Sequence, residues 1–456
     1  MKPRLRAASD RSTVTRLVIA LGMIGCGLAF AHPAGAQSVQ QIRWCNGDDH
    51  ATSEQSISGC TALIQSGKSS RRNLAIAYTN RGSAYDDLRD EDRAIADQDQ
   101  AIKIDPKLDL AFNNRANAYG RKGEIDRALA DYDEAIRLNP KFFRAINNRG
   151  TTYRDDKRDP DRAITDYNEA IRLSPKFADA YNNRGIAYAA KGDHAHALAD
   201  YNSAIRLDPN FALAYNNRGL QYRDHGDYVA AIADFDKAIG VDPRYANAYR
   251  NRGNAYLKMD KYDLAISDFT TALVLNAKDT ETLIGRATAY GRTGDLDRAI
   301  ADYDGVLRLE PQDLTALTNR GYAHFHRGDF ADAAADLSRV TDKDAYTYPA
   351  LFRFLAQSRA GLASSDLESA ARRMTNQSWP YAVFELYLGR RDADATLAAA
   401  QGPEERCEAQ FYVGEWHLLQ GDRVAAKLHL EEVAGVCPKG FVEYVGAQAE
   451  LRRLAQ

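Results

Sequence analysis

From Tyr78 to His324, apolar and small residues recur at helical spacing. An aromatic or aliphatic residue is followed four positions later by a small residue and three after that by tyrosine, as in Tyr181, Gly185 and Tyr188. At about 100° per residue these three fall within one narrow arc, so the pattern predicts an amphipathic helix. A second helix repeats the arrangement with Ala197, Tyr201 and Ala204, and Pro209 follows where it can stop a helix but not continue one. Turns such as Lys191-Gly192-Asp193 join the two helices. The motif returns eight times, 34 residues apart with a single step of 35, and Gly82, Ala116, Gly150, Gly185, Gly219, Gly253, Ala287 and Gly321 fix its register from Ala75 to Thr347. Small residues at a helix crossing let the backbones approach, while bulky aromatics fill the space beside them. One such pair cannot bury its apolar face alone, so neighbours must stack, and the chain is expected to form an array rather than a globule.

Alanines at the tight crossings (Ala94, Ala128, Ala163, Ala197, Ala231, Ala265, Ala299, Ala333) and prolines at repeat ends (Pro106, Pro140, Pro175, Pro209, Pro243, Pro311) resemble the pattern of the tetratricopeptide repeat (TPR) family, with Tyr, Phe, Ile or Leu where that family usually has an early Trp. The resemblance implies an all-α fold: a right-handed TPR superhelical solenoid of antiparallel helix pairs with a C-terminal capping helix. The organisation expected is a signal peptide over 1–36, an N-terminal extension with a helix and a disulfide over 37–74, and eight repeats over 75–347. A degenerate helical region over 348–406, a ninth repeat over 407–440 and the cap over 441–456 complete it.

The N-terminus changes the picture of where the chain acts. Lys2, Arg4, Arg6, Arg11 and Arg16 precede an apolar run from Leu17 to Phe30, followed by Ala34, Gly35 and Ala36. This reads as a cleaved secretory signal with maturation near Gln37, the apolar run being shorter than the roughly 20 residues a membrane span needs. Of 60 Lys and Arg and 63 Asp and Glu, five basic groups and one acid lie in that leader, which leaves 55 against 62 and a formal charge of −7. Nucleic acid is therefore not an expected partner. The leader also carries Cys26, so the exported chain keeps Cys45, Cys60, Cys407 and Cys437 in an oxidising compartment. Three pairings can be drawn. Cys45 with Cys60 and Cys407 with Cys437 are favoured, because Cys407 starts one helix of a hairpin and Cys437 follows the other. An alternative is an outer-membrane lipoprotein acylated at Cys26, and membrane association is expected only in that case.

Beyond Thr347 the register blurs, although Leu351–Gly361 reads as one more first helix, and Gly414, Ala426, Leu430 and Pro438 restore the pattern. The segments WPYAVFELYLG (379–389), CEAQFYVGEWHLLQGD (407–422) and FVEYVGAQAEL (441–451) resemble the C-terminal third of the enterobacterial outer-membrane new lipoprotein I family. That family is a dimeric periplasmic adaptor, so the resemblance implies a scaffold for peptidoglycan hydrolases or a periplasmic protease, with a homodimer among the alternatives. This chain departs from it by carrying more repeats.

The candidate binding residues are a series of amides. Asn183 lies roughly opposite the Tyr181–Tyr188 stripe, and the same position holds Asn80, Asn114, Asn148, Asn217, Asn251 and Asn319, with Gly285 as the break. First helices line the inner wall in this family, so the amides are expected to form a ladder along a groove. An amide can grip a peptide group of any sequence, since it offers donors and an acceptor together. The series resembles the asparagine ladder in the repeats of O-linked N-acetylglucosamine transferase; the bland alternative is repeat background on a wet surface. Asn147, Asn182 and Asn216 sit where a carboxylate clamp needs Lys or Arg, so a clamp is disfavoured. Arg81, Arg115, Arg149, Arg184, Arg218, Arg252, Arg286 and Arg320, matched by Asp97, Asp131, Asp166, Asp200, Asp234, Asp268, Asp302 and Asp336, read as structural ion pairs within or between repeats. No phosphate loop, nucleophile elbow or metal-protease motif occurs. His194 with His196, and His324 with His326, diverge by about 200° on a helix and cannot share one metal ion. Neither an enzyme, a cofactor nor a metal site is expected. The rival to a peptide-binding scaffold is a structural subunit of a larger envelope assembly that oligomerises through its outer face or its C-terminal segment, which exposed apolar residues in Trp379–Leu388 would favour.

Overall fold

The computed structural model describes residues 33–340, 347–363, 367–374 and 378–456. The expected leader falls mostly outside them, and Cys26 does so entirely; helix Pro33–Asn46 runs through the expected processing point at Gln37. Among the described residues there are 25 α-helices and no strand, and successive helices pair as in a TPR solenoid. No described helix is long and apolar enough to cross a membrane. The chain divides into two compact parts, 1–217 and 218–456, and passes from one to the other within helix Ala212–Asp224.

The N-terminal part opens with two helices where one was expected, Pro33–Asn46 and Ser53–Gln65. The second forms because Thr52 and Gln55 make a reciprocal capping box at its start. The Cys45–Cys60 disulfide ties the two together. A Cβ on Gly59 would lie 2.5 Å from the Gln41 carbonyl oxygen, so only glycine permits this close crossing. Both cysteines are fully buried with Ile76 and Ala77.

Four helix pairs follow: Arg71–Asp87 with Glu91–Ile104, Asp109–Arg121 with Ile125–Leu138, Phe143–Asp155 with Pro160–Leu173, and Ala178–Ala190 with His194–Leu207. Local chemistry fixes each boundary. Between the last two helices Gly192 adopts φ 78°, a left-handed conformation that favours glycine, and the Asp193 carboxylate then accepts the backbone N–H of His196 as N-cap. Within the pair, a Cβ at Gly185 would lie 2.7 Å from Tyr201 Cε1. Ala197 and Ala204 are fully buried beside the Tyr201 ring, as the sequence pattern requires.

The C-terminal part continues with Tyr228–Val241, then Ala246–Lys258 with Tyr262–Leu275, Thr280–Thr293 with Leu296–Leu309, and Leu314–Arg327 with Phe330–Arg339. The irregular stretch beyond contains Thr347–Arg359 and the short helices Leu367–Arg372, Tyr381–Tyr387 and Ala393–Ala399. Regular pairing returns with Pro403–Leu419 and Arg423–Val436, whose ends the Cys407–Cys437 disulfide joins, and Val442–Leu454 closes the chain. This region carries the largest apolar core among the described residues, including Phe325, Phe352, Phe384, Phe411, Leu430 and Ala447. Val383, Phe384 and Leu386 lie within that core, with Trp379, Tyr381, Tyr387 and Leu388 packed against it. The apolar segment Trp379–Leu388 is thus used inside its own fold.

Candidate functional site

First helices of consecutive repeats touch one another: Arg71–Asp87 meets Asp109–Arg121, and Ala246–Lys258 meets Thr280–Thr293. Consecutive second helices contact each other weakly or not at all. Within each part the stack is therefore tighter on the first-helix side, which makes that side the inner wall.

The Asn series lies on this side but below its surface. Asn80 is fully buried, Asn114, Asn183, Asn217 and Asn251 are nearly so, and Asn148 and Asn319 are half-buried. In the N-terminal part the amides bond to one another across repeats. Asn114 Nδ2 donates to Ser83 Oγ at 2.9 Å, Asn148 Nδ2 to Asn113 Oδ1 at 3.3 Å, Asn183 Nδ2 to Asn147 Oδ1 at 3.2 Å and Asn217 Nδ2 to Asn182 Oδ1 at 2.9 Å. Within repeats, Asn113 Nδ2 donates to Asn114 Oδ1 and Asn147 Nδ2 to Asn148 Oδ1. The result is an amide chain in which the asparagines of repeats 3 to 5 reach the pair of the repeat before, and Asn114 of repeat 2 ends it on Ser83. A single-helix wheel cannot show this, because the groups that bury position 183 belong to the preceding repeat.

The Arg–Asp series is complete in all eight repeats. Arg184 Nε and Nη2 donate to the two oxygens of Asp200 at 2.8 and 2.7 Å, and the same bidentate contact recurs from Arg81–Asp97 to Arg320–Asp336. The third nitrogen reaches back one repeat. Arg115 Nη1 donates to Asp99 at 2.6 Å, Arg149 to Asp133 at 2.6 Å and Arg184 to Asn168 at 2.6 Å, while Arg286 reaches Thr270 at 3.2 Å. Each guanidinium therefore fixes its own hairpin and its neighbour's position together. The sequence showed the intra-repeat partner; the backward one, 16 residues upstream, varies in type and carries a weaker signal.

A cavity of about 80 Å³ opens between Thr280–Thr293, Leu314–Arg327 and the last helix, lined by Thr288, Arg292, Asn319, Tyr322, His326 and Val445 among others. The last helix is held there by buried polar groups. Glu450 pairs with Arg359 at 3.3 Å, Arg453 Nη1 donates to the His326 carbonyl at 2.7 Å, and Glu443 accepts from the Tyr412 hydroxyl at 3.3 Å. Burial pushes the Glu443 carboxyl up to about 7 and holds the His326 imidazole down at about 3, with Arg453 and Arg292 adding to the latter. Burial also raises Glu415, which is fully enclosed beside Arg359. This acidic cluster leaves no sequence signal, because its members come from Thr347–Arg359, Pro403–Leu419 and Val442–Leu454. His194 is part of an ordinary helix start, and His196 stacks on Tyr188 at 5.0 Å with its Nδ1 2.8 Å from Asp193.

Family models of the tetratricopeptide repeat match residues 75–108, 110–142, 178–211, 201–233, 246–279 and 284–346, and a TPR repeat model matches 160–192 and 219–260. No curated protein matches the sequence. Among solved structures, MamA is 28% identical over 36% of this chain and 95% of its own, with a TM-score of 0.32. The type IV pilus biogenesis factor PilW is 20% identical over 44% of this chain and 93% of its own, with a TM-score of 0.41. A TPR protein from Parabacteroides merdae is 22% identical over 53% and 94%, with a TM-score of 0.44. With repeat models spanning more than half of its length and helix pairs stacked in the same register, the chain belongs to the tetratricopeptide repeat family.

Proposed function

We propose that this protein is a non-enzymatic scaffold of the bacterial cell envelope that binds extended peptide segments of partner proteins along its inner wall. TPR proteins bind other proteins or peptides. The observation that carries the reading is the first-helix wall, backed by an amide chain repeated at one register and locked repeat to repeat by arginines that hold two neighbours. A wall so fixed loses little conformational entropy when a partner settles on it. Asn148 and Asn319 are only half-buried, so part of each amide stays within reach of a peptide group on the wall. Two disulfides support an oxidising compartment, and hence export. The resemblance of segments 379–389, 407–422 and 441–451 to new lipoprotein I points to peptidoglycan hydrolases or a periplasmic protease as the partners recruited. Exposure of Trp379–Leu388 would have favoured the alternative of an oligomerising subunit, and that segment is packed into a core.

Site-specific photocrosslinking in the periplasm tests this. A crosslinker at Asn148 or Thr151 on the inner wall is expected to capture partners that one at the outward Val274, 82% exposed, does not. Replacing Asn148, Asn183, Asn217 and Asn251 together by Ala should abolish capture while circular dichroism stays helical. Equal capture from the outer position, or unchanged capture by the folded quadruple variant, overturns the reading.

A further inference from the structure

In seven repeats the residue three after the small residue of the first helix is tyrosine: Tyr85, Tyr119, Tyr153, Tyr188, Tyr222, Tyr256 and Tyr290. In most of them the third residue of the second helix lays a cation or an imidazole against that ring. The Arg93 guanidinium lies 4.4 Å from the Tyr85 centroid, Arg127 3.9 Å from Tyr119, Arg162 5.5 Å from Tyr153 and Arg298 4.6 Å from Tyr290, and His196 stacks on Tyr188. Repeat 8 changes both members at once. His324 stands in place of the tyrosine and Asp332 in place of the cation.

The loop between them supplies a third group. At Asp90, Asp159, Asp193, Asp227 and Asp295 the N-cap carboxylate accepts a backbone N–H of the helix it starts. Asp329 makes no such bond; its Oδ2 lies 3.5 Å from His324 Nδ1 instead. His324 is 8% exposed, and its Nδ1 has no hydrogen-bond partner. One donor atom from each of His324, Asp329 and Asp332 lies within 4.8 Å of the others. A ring nitrogen without a hydrogen-bond partner and a carboxylate oxygen at this separation are two donor types that one cation can bridge. Two ligand atoms about 2.0–2.1 Å from a tetrahedral zinc ion sit about 3.3 Å apart, close to the separation between His324 and Asp329, and exposed Asp332 is free to close the remainder.

We propose that His324, Asp329 and Asp332 form a binding site for a divalent transition-metal ion of the zinc class, water completing its shell. One imidazole with two carboxylates suits such an ion better than magnesium or calcium, which prefer oxygen ligands throughout. Arg327, which contacts Asp329, retains Asp297 at 2.8 Å as a partner once the metal takes that carboxylate. His326 takes no part: it faces the other way, 3.2 Å from the point where a Cβ on Gly446 would lie. The ion would pin the Gly328 turn between the two helices of repeat 8, independently of what the inner wall binds.

The test is zinc titration of the metal-free, untagged chain by calorimetry, paired with thermal melts. The comparison variant is His324→Tyr with Asp332→Arg, which restores the tyrosine–arginine stack of the other repeats and so keeps the hairpin folded. One equivalent of zinc is expected to bind the parent chain and raise its Tm; the variant should bind at least tenfold more weakly with no rise in Tm. Absence of binding to the parent, or the same isotherm and Tm shift in both proteins, overturns the proposal.

Discussion

Arg149 holds two aspartates in unlike settings, and removing each in turn measures what the repeated ion pair does. Asp166 lies in the same hairpin, makes the bidentate contact at 2.9 and 2.7 Å and keeps 8% side-chain exposure; Asp133 belongs to the preceding repeat, makes one contact at 2.6 Å and is 59% exposed. Burial pushes the Asp166 carboxyl up despite the pull of Arg149, while Arg149 is held charged chiefly by Asp166. The pair's own net contribution is therefore small, and the cost of Asp166→Ala lies in stranding a guanidinium with 23% side-chain exposure. Breaking a fully buried pair costs roughly 3–5 kcal/mol; with Asp133 still in place and Arg149 partly wetted, about 3 kcal/mol is expected. Asp133→Ala should cost less than about 1 kcal/mol, as exposed pairs do. The gap of about 2 kcal/mol corresponds to roughly thirtyfold in a local opening constant. A linear array opens in parts, so hydrogen exchange across Phe143–Asp155 and Pro160–Leu173 is the appropriate readout. Equal loss of protection in the two variants, or a larger loss in Asp133→Ala, would refute the reasoning.

Gly185→Ala should destabilise repeat 4 by about 1–3 kcal/mol, because the added methyl meets the Tyr201 ring at 2.7 Å, whereas Gly240→Ala, with open space around it in the last turn of Tyr228–Val241, should stabilise by up to about 1 kcal/mol; denaturant melts separate the two signs. Replacing Cys407 and Cys437 by Ser removes a bridge that spans 30 residues and should lower the stability of the C-terminal part by about 3 kcal/mol while leaving repeats 1–4 untouched, as read by hydrogen exchange in variant and parent. Glu443 has a folded pKa of about 7 against an ordinary 4.5, so its contribution is present at low pH and lost as pH rises through that window. Glu443→Gln should therefore gain stability relative to the parent chain between about pH 4.5 and pH 7; a constant difference across that range in calorimetric melts would count against it. His326, with its pKa held down, acts in the opposite sense below its ordinary value, which is why the comparison is made between variant and parent.

The 34-residue period, the small-residue crossings and the Arg–Asp spacing were legible in the chain because each is a local constraint copied many times. Gly185 and Tyr201 must meet wherever two such helices form a hairpin, and Asp200 lies one hairpin away from Arg184 in any repeat with this spacing. The Cys407–Cys437 pairing was legible for the same reason, since a helical hairpin brings its own ends together. What the sequence could not settle is what each repeat does to the next. The asparagines fall on the polar side of an isolated helix, yet stacking buries them against the preceding repeat, where Asn113, Asn147 and Asn182 receive them. The irregular stretch from Thr347 has no period to follow, so only the folded chain brings Arg359, Glu415 and Glu450 into one buried cluster and lays the last helix beside His326. Periodic contacts are written into residue spacing; contacts between segments 56 to 127 residues apart depend on the accumulated geometry of every turn between them, which no local pattern records.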